Sequence, residues 1–153
     1  MRETRVAPGC LAGIRLLDLS QFEAGPSCTG ALAWLGAEVV KVENPKGGEP
    51  GRMLHARQRP QAQRLLFHDR QRQQEVGTVD LKSDRGLAPV KEMAKQADVF
   101  AENFAPGVME RLGFGWDELR TLNPRLVYAQ ASRSDLGSEI CDRGGARPKR
   151  SGG

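Results

Sequence analysis

Cysteine and histidine are scarce in this 153-residue sequence, which has three Cys and two His. Cys10, Cys28 and Cys141 are odd in number, far apart and form no C-x-x-C pair. A disulfide framework or a zinc site is therefore not expected, and the thiols read as free groups in a reducing compartment. Aromatic residues make up only 5%. No apolar run approaches the roughly 18 to 20 residues of a membrane span. Residues 1–9 are charged and no apolar stretch follows them, so a secretory signal is not expected and the cytoplasm is the expected location. What is present, 39% hydrophobic residues at a mean hydropathy of -0.51, suits one soluble domain with a real core.

The formal net charge is +4 and the sequence pI about 9.2. Either a nucleic acid or an anionic, nucleotide-derived ligand would suit that sign. The basic residues are not spread evenly. Residues 52–74 hold six Arg and six Gln with no Lys, and residues 143–150 add four more bases. Elsewhere the charge is mixed and slightly acidic, so the basicity belongs to two unusual segments and not to the domain.

Residues 14–19 (Ile-Arg-Leu-Leu-Asp-Leu) predict a short buried strand, followed by a turn over 20–25. Pro26 suits the first turn of a helix and Gly36 its stop, while Gly30, Ala31 and Ala33 would let that helix lie close to a sheet. A second strand is predicted over 38–43. Strand, helix and strand in this order make a βαβ unit, hence a parallel sheet with strands buried on both faces. Further on, strands are predicted over 78–82, 98–102 and 126–130. Helices are predicted from Ser83 as N-cap to 97, over 106–112 and over 116–122, with Pro89 expected to shift the start of the first. Residues beyond 131 read as a disordered tail. The alternation implies an α/β Rossmann-like parallel sheet with flanking helices, spanning 11–130 and interrupted by the Arg/Gln-rich segment 52–77. Ligands of such folds lie beyond the carboxyl ends of the strands, which here lead into residues 21–25, 44 onward, 103–107 and 130 onward.

Six stretches in order resemble the family III CoA-transferases, and within them the formyl-CoA:oxalate CoA-transferase type. They are Leu-Asp-Leu-Ser-Gln-Phe-Glu-Ala-Gly-Pro-Ser-Cys-Thr at 17–29, Leu-Gly-Ala-Glu-Val-Val-Lys-Val-Glu at 35–43 and Val-Asp-Leu-Lys at 79–82. Ala-Asp-Val-Phe-Ala-Glu-Asn-Phe-Ala-Pro-Gly at 97–107, Arg-Leu-Gly-Phe-Gly-Trp at 111–116 and Asn-Pro-Arg-Leu-Val-Tyr at 123–128 follow. The resemblance covers 11–51 and 78–130. It implies coenzyme A or acyl-CoA as substrate, no metal, transfer of CoA to a small carboxylic acid, and an interlocked homodimer. It also implies covalent catalysis, in which an Asp carboxylate attacks the thioester through anhydride and aspartyl-CoA intermediates. Carried across position by position, the implied CoA contacts are Glu23, Ala24, Asn44, Val79, Asp80, Leu81, Lys82, Asn103, Phe104, Ala105 and Arg111. Lys82 and Arg111 suit the phosphates as charge-assisted donors, and Phe104 offers a face for adenine. Glu23 stands where the formyl-CoA enzyme has an amide, and Asn44 where it has an Arg, so a different donor or acceptor is expected.

The pattern then breaks. The family's nucleophilic Asp belongs to a later Gly-Asp segment, and neither Asp135 nor Asp142 matches it, so no catalytic residue is assigned. The chain is expected to bind CoA as an N-terminal portion without turning over, and not to form the interlocked dimer. Residues 65–77 can be encoded so that a one-base shift reads Tyr-Phe-Phe-Met-Ile-Ala-Asn-Ala-Asn-Lys-Lys-Ser, the family's segment at this place. A frame lost near Gly51, regained near Gly77 and lost again after Gln130 is therefore expected. Two other readings compete: an acyl-CoA racemase portion using a proton-transfer pair, disfavoured because no His follows His68, and a basic nucleic-acid-binding adaptor, disfavoured by little aromatic interleaving and no recognised module. Neither a nucleic-acid nor a membrane partner is expected.

Overall fold

The computed structural model describes residues 9–51 and 74–131. Five strands form one sheet: β1 (Arg15–Asp18), β2 (Glu38–Glu43), β3 (Gln74–Thr78), β4 (Val99–Glu102) and β5 (Val127–Gln130). Their order is β3-β2-β1-β4-β5 and every pairing is parallel. The helices are α1 (Ala24–Trp34), α2 (Asp84–Gln96), α3 (Val108–Arg111) and α4 (Trp116–Leu122). The α/β, Rossmann-like parallel sheet expected from the alternation is present. The tail beyond 131, expected to be disordered, lies outside the described residues, as does most of the 52–77 segment.

Two apolar layers flank the sheet. On one side α1 packs its small residues Gly30 and Ala33 inward, with Leu16, Ala37, Val39 and Ala101. Ala31, expected on that face, is exposed. On the other side Val90 and Ala94 of α2 and Leu119 of α4 close over Leu17, Val42 and Phe100. Phe100 stacks at 6.0 Å on Phe114 and 5.7 Å on Tyr128. Central β1 is buried from Leu16 to Asp18, as a parallel strand covered on both faces must be. Edge strand β5 is largely exposed.

Local signals explain most boundaries. Gly36 ends the α1 region at φ 103°, and its Cα-side face meets Gly9, so a side chain there would be both strained and crowded. The Ser83 hydroxyl accepts from the Gly86 N–H at 3.2 Å, capping α2. The Asn123 side-chain amide donates to the Ala97 carbonyl at 2.8 Å and lies 3.3 Å from those of Ala94 and Lys95, satisfying carbonyls at the end of α2. Two expectations need correction. Pro89 lies inside α2 without shifting its start, which stays at Asp84. The third strand runs over Gln74–Thr78 and not over 78–82. The pairing with β2 ends where the Val79 N–H donates to the Glu43 carbonyl at 2.8 Å. Asp80 then folds the chain back, its Oδ1 accepting from Lys82 N–H at 3.0 Å and its carbonyl from Ser83 N–H at 3.1 Å. Residues 74–77 of the segment expected to be foreign thus supply most of an edge strand.

Candidate functional site at the carboxyl edge of the sheet

The loops leaving β1 to β4 meet at the carboxyl edge, and β1 is where the strand order changes direction. Glu23 is the N-cap of α1 but makes no capping bond with its side chain, and its carboxylate is exposed together with Ala24. Asn103, after β4, makes a two-way clamp across the sheet. Its Nδ2 donates to the Gln21 carbonyl at 2.6 Å, and its Oδ1 accepts from the Gln21 N–H at 2.7 Å. Phe104 is fixed through its N–H, which donates to Glu102 Oε2 at 2.7 Å, while its half-buried ring packs on the core. Ala105 is exposed, and its carbonyl accepts from the Val108 N–H at 3.1 Å.

The other predicted contacts lie further out. Asn44 is exposed and closes its own turn, accepting from the Lys46 N–H through Oδ1 at 2.8 Å and from the Gly48 N–H through its carbonyl at 2.8 Å. Val79 and Leu81 are half-buried against the core, Asp80 builds the turn described above, and Lys82 is exposed on that turn. Arg111 is exposed at the end of α3, its guanidinium lying over Gly107. The structure joins the β1 and β4 loops directly. No hydrogen bond among the described residues links Asn44, Lys82 or Arg111 to them.

Beneath the β1 loop lies a buried charged cluster that the sequence reading missed. Lys41 is fully buried, with its Nζ 3.3 Å from Asp18 Oδ2 and 3.4 Å from Glu49 Oε2, and it donates to the Ser20 carbonyl at 2.9 Å. Asp18 also accepts from Ser20 N–H at 2.8 Å and from Thr29 Oγ1 at 2.6 Å. Glu49 Oε1 accepts from Phe22 N–H at 2.6 Å and from Gly51 N–H at 3.0 Å. One lysine thus serves two carboxylates, and every member has further hydrogen bonds, as buried charge requires. One signal was available. Lys41 sits between Val40 and Val42 in a strand expected to be buried on both faces, and a lysine there must find a carboxylate. Parallel register supplies it by pairing Asp18 with Lys41.

A second buried acid closes the β4 side. Glu102 is buried, and burial raises its carboxyl above the ordinary value of 4.5; bonds from Phe104 N–H and the Tyr128 hydroxyl (3.0 Å) oppose the rise. Among the described residues no group of three or more His, Cys, Asp or Glu is placed to hold a metal ion, and no helix is long and apolar enough to cross a membrane. The edge has the parts of a binding surface: fixed loop backbones, exposed cations at Lys82 and Arg111, and an exposed acid at Glu23.

Comparison with known proteins gives this edge a lineage. The chain is 43% identical over 119 residues to formyl-CoA:oxalate CoA-transferase of Streptomyces avermitilis, a match covering 78% of this chain and 29% of that protein. The enzyme of the same name from Afipia carboxidovorans is 40% identical over the same length, covering 28% of its own chain. Among solved structures, Rv3272 from Mycobacterium tuberculosis superposes with a TM-score of 0.68 at 40% identity, covering 80% of this chain and 31% of that one. A CAIB/BAIF family protein from Brucella suis gives a TM-score of 0.71 at 30% identity, over 80% and 33%. The chain therefore spans under a third of the length of the curated relatives it matches. The sequence profile of CoA-transferase family III matches residues 11–143, most of the chain, and with it the fold and the motifs agree: this chain belongs to CoA-transferase family III.

Proposed function

We propose that these residues form the CoA-binding N-terminal part of a cytoplasmic acyl-CoA:carboxylate CoA-transferase of the formyl-CoA transferase type. One observation carries the reading: the candidate contacts all fall on or just beyond the loops that leave the carboxyl ends of β1, β2, β3 and β4. Three strand spacings separate β3 from β4, about 14 Å, so contacts on both call for an elongated ligand. CoA has that shape, and its nucleotide carries phosphates at two separate positions, the 3′-phosphate and the diphosphate. Lys82 and Arg111 supply charge for the phosphates, and the Gln21–Asn103 clamp holds the loops for the remainder.

The described residues take the binding part of the reaction alone. No carboxylate among them is assigned as the nucleophile. Calorimetric titration with CoA tests the reading. The chain should bind CoA, and the Lys82→Ala, Arg111→Ala double variant should lose affinity about tenfold or more. Absence of binding by the unmodified chain, or equal binding by the double variant at physiological salt, would sink it.

A further inference from the structure

Glu102 is the last residue of β4, and its buried carboxyl group faces two segments at once. Its Oε2 accepts from the N–H of Phe104, in the loop that also carries Asn103, at 2.7 Å. Its Oε1 accepts from the Tyr128 hydroxyl at 3.0 Å, and the Gln130 amide is a further donor, both on edge strand β5. The Glu102 carbonyl accepts from the Ala131 N–H at 2.9 Å, where β5 ends. One residue thus fastens the loop after β4 to a strand that is paired with the sheet on a single side.

The partners of this carboxyl group suit its neutral form. The Phe104 N–H can only donate, whereas a tyrosine hydroxyl and an amide can each donate or accept. Protonated Glu102 keeps the Phe104 bond on its carbonyl oxygen and gives its own proton to Tyr128 or Gln130, so both links survive without a buried charge. Ionised Glu102 needs a cation, and no Lys or Arg among the described residues forms an ion pair with it. From β1 the residues on its face of the sheet are Leu17 and Leu19, while Lys41 lies with Asp18 on the α1 side. From α2, Lys91 lies 5.9 Å over the Phe114 ring. On α3 the Arg111 guanidinium lies over Gly107, and Glu110 sits with Glu118 of α4 beside Gly115. Burial first, and then the charge of Glu110, strengthen the hold of Glu102 on its proton.

We infer that Glu102 is a proton-dependent latch: protonated, it fastens the Phe104 loop to the end of β5, and ionised, it lets the two part while the centre of the sheet stays closed. An ionised carboxylate regains its hydration only where a covering element moves off. The element with least to lose is β5, which exposes Val127 and Gln130 and has one neighbouring strand.

Hydrogen exchange of single amides in the full chain, followed by NMR from roughly pH 4 to 8 and expressed as protection against the intrinsic rate, tests the latch. Ala131 and Phe104 should be less protected than Leu19, whose N–H donates to the Ala101 carbonyl at the sheet centre. Their protection should be highest near the acid end and fall by up to about tenfold per pH unit above 4.5. It should level off once the folded carboxyl group is itself ionised. Glu102→Gln copies the neutral acid and should keep its protection across the whole range. Tyr128→Phe keeps the stack on Phe100 and removes a bond that favours the ionised form, so its fall should extend to higher pH. That variant also decides the matter if Glu102→Gln does not fold. Three results would each overturn the inference: protection of Ala131 and Phe104 that ignores pH, protection equal to that of Leu19 throughout, or an undiminished fall in Glu102→Gln. A Tyr128→Phe fall that stays in place or moves to lower pH would do the same.

Discussion

Replacing Lys41 by Met keeps the length and apolar stem of the side chain and removes only its charge. What remains is two buried carboxylates, Asp18 and Glu49, that have lost the cation between them. Asp18 keeps its bonds from Ser20 and Thr29, and Glu49 keeps those from Phe22 and Gly51. Neutral donors soften a buried charge without cancelling it. Breaking a buried ion pair by removing one partner costs about 3–5 kcal/mol, a large share of the roughly 5–15 kcal/mol that holds a domain together. With a urea slope of about 2 kcal/mol/M, the midpoint should fall by roughly 2 M. The triple variant Asp18→Asn, Lys41→Met, Glu49→Gln removes all three charges and should be milder than Lys41→Met alone, because no uncompensated charge is left. Equilibrium urea unfolding followed by circular dichroism measures both. A Lys41→Met midpoint equal to that of the unmodified chain, or a triple variant as unstable as the sum of the single changes, would refute the account of the cluster.

Two further expectations concern stability. Asn123→Ala removes the amide that serves the carbonyls at the end of α2 and should lower stability by about 1–2 kcal/mol; a thermal melt unchanged by the substitution would show that water replaces it. Glu102 gives a pH signature with a defined sign. Its folded carboxyl holds its proton above the ordinary value of 4.5, so the folded state binds more protons than the unfolded state just above that pH. The Glu102 contribution to stability is therefore fully present below 4.5 and lost as pH rises through the folded value. Urea melts from pH 4 to 8 should show this downward component in the unmodified chain and not in Glu102→Gln; a rise with pH that the substitution abolishes would reverse the argument.

Much of the fold was legible because parallel strands and amphipathic helices leave strong local marks. Trp116 to Leu122 forms α4 as the pattern between Gly113 and Asn123 predicts, and Ser83 caps α2 as its position before Asp84 predicts. The third strand was misplaced because Val79 and Leu81 carry apolar weight wherever they sit. Only pairing with β2 and the Asp80 turn decide that they pack as loop residues. The carboxyl-edge loops were legible from topology alone. The cluster beneath them was not, since Asp18, Lys41 and Glu49 are separated in the chain and meet only through strand register and a returning loop. The left-handed backbone angle of Phe22 was hidden for a related reason: the Glu49 bond and the close approach of Gly51 that enforce it are not written in the letters of a turn.

The strand order has a consequence for how the molecule is made. β1 and β2 are joined by a short crossover and can pair as soon as both have left the ribosome. The second neighbour of β1 is β4, which begins only at Val99. About 60 residues lie between the end of β2 and the end of β4, which at ordinary elongation speeds takes roughly 3 to 12 s. For that interval the future centre of the sheet is an open rim, with Leu16 and Leu17 on it and unsatisfied backbone groups along it. The strand that leads into the Phe22 turn is thus sealed on its second side late in synthesis, and during the wait the nascent chain depends on chaperones or on speed to avoid foreign pairing.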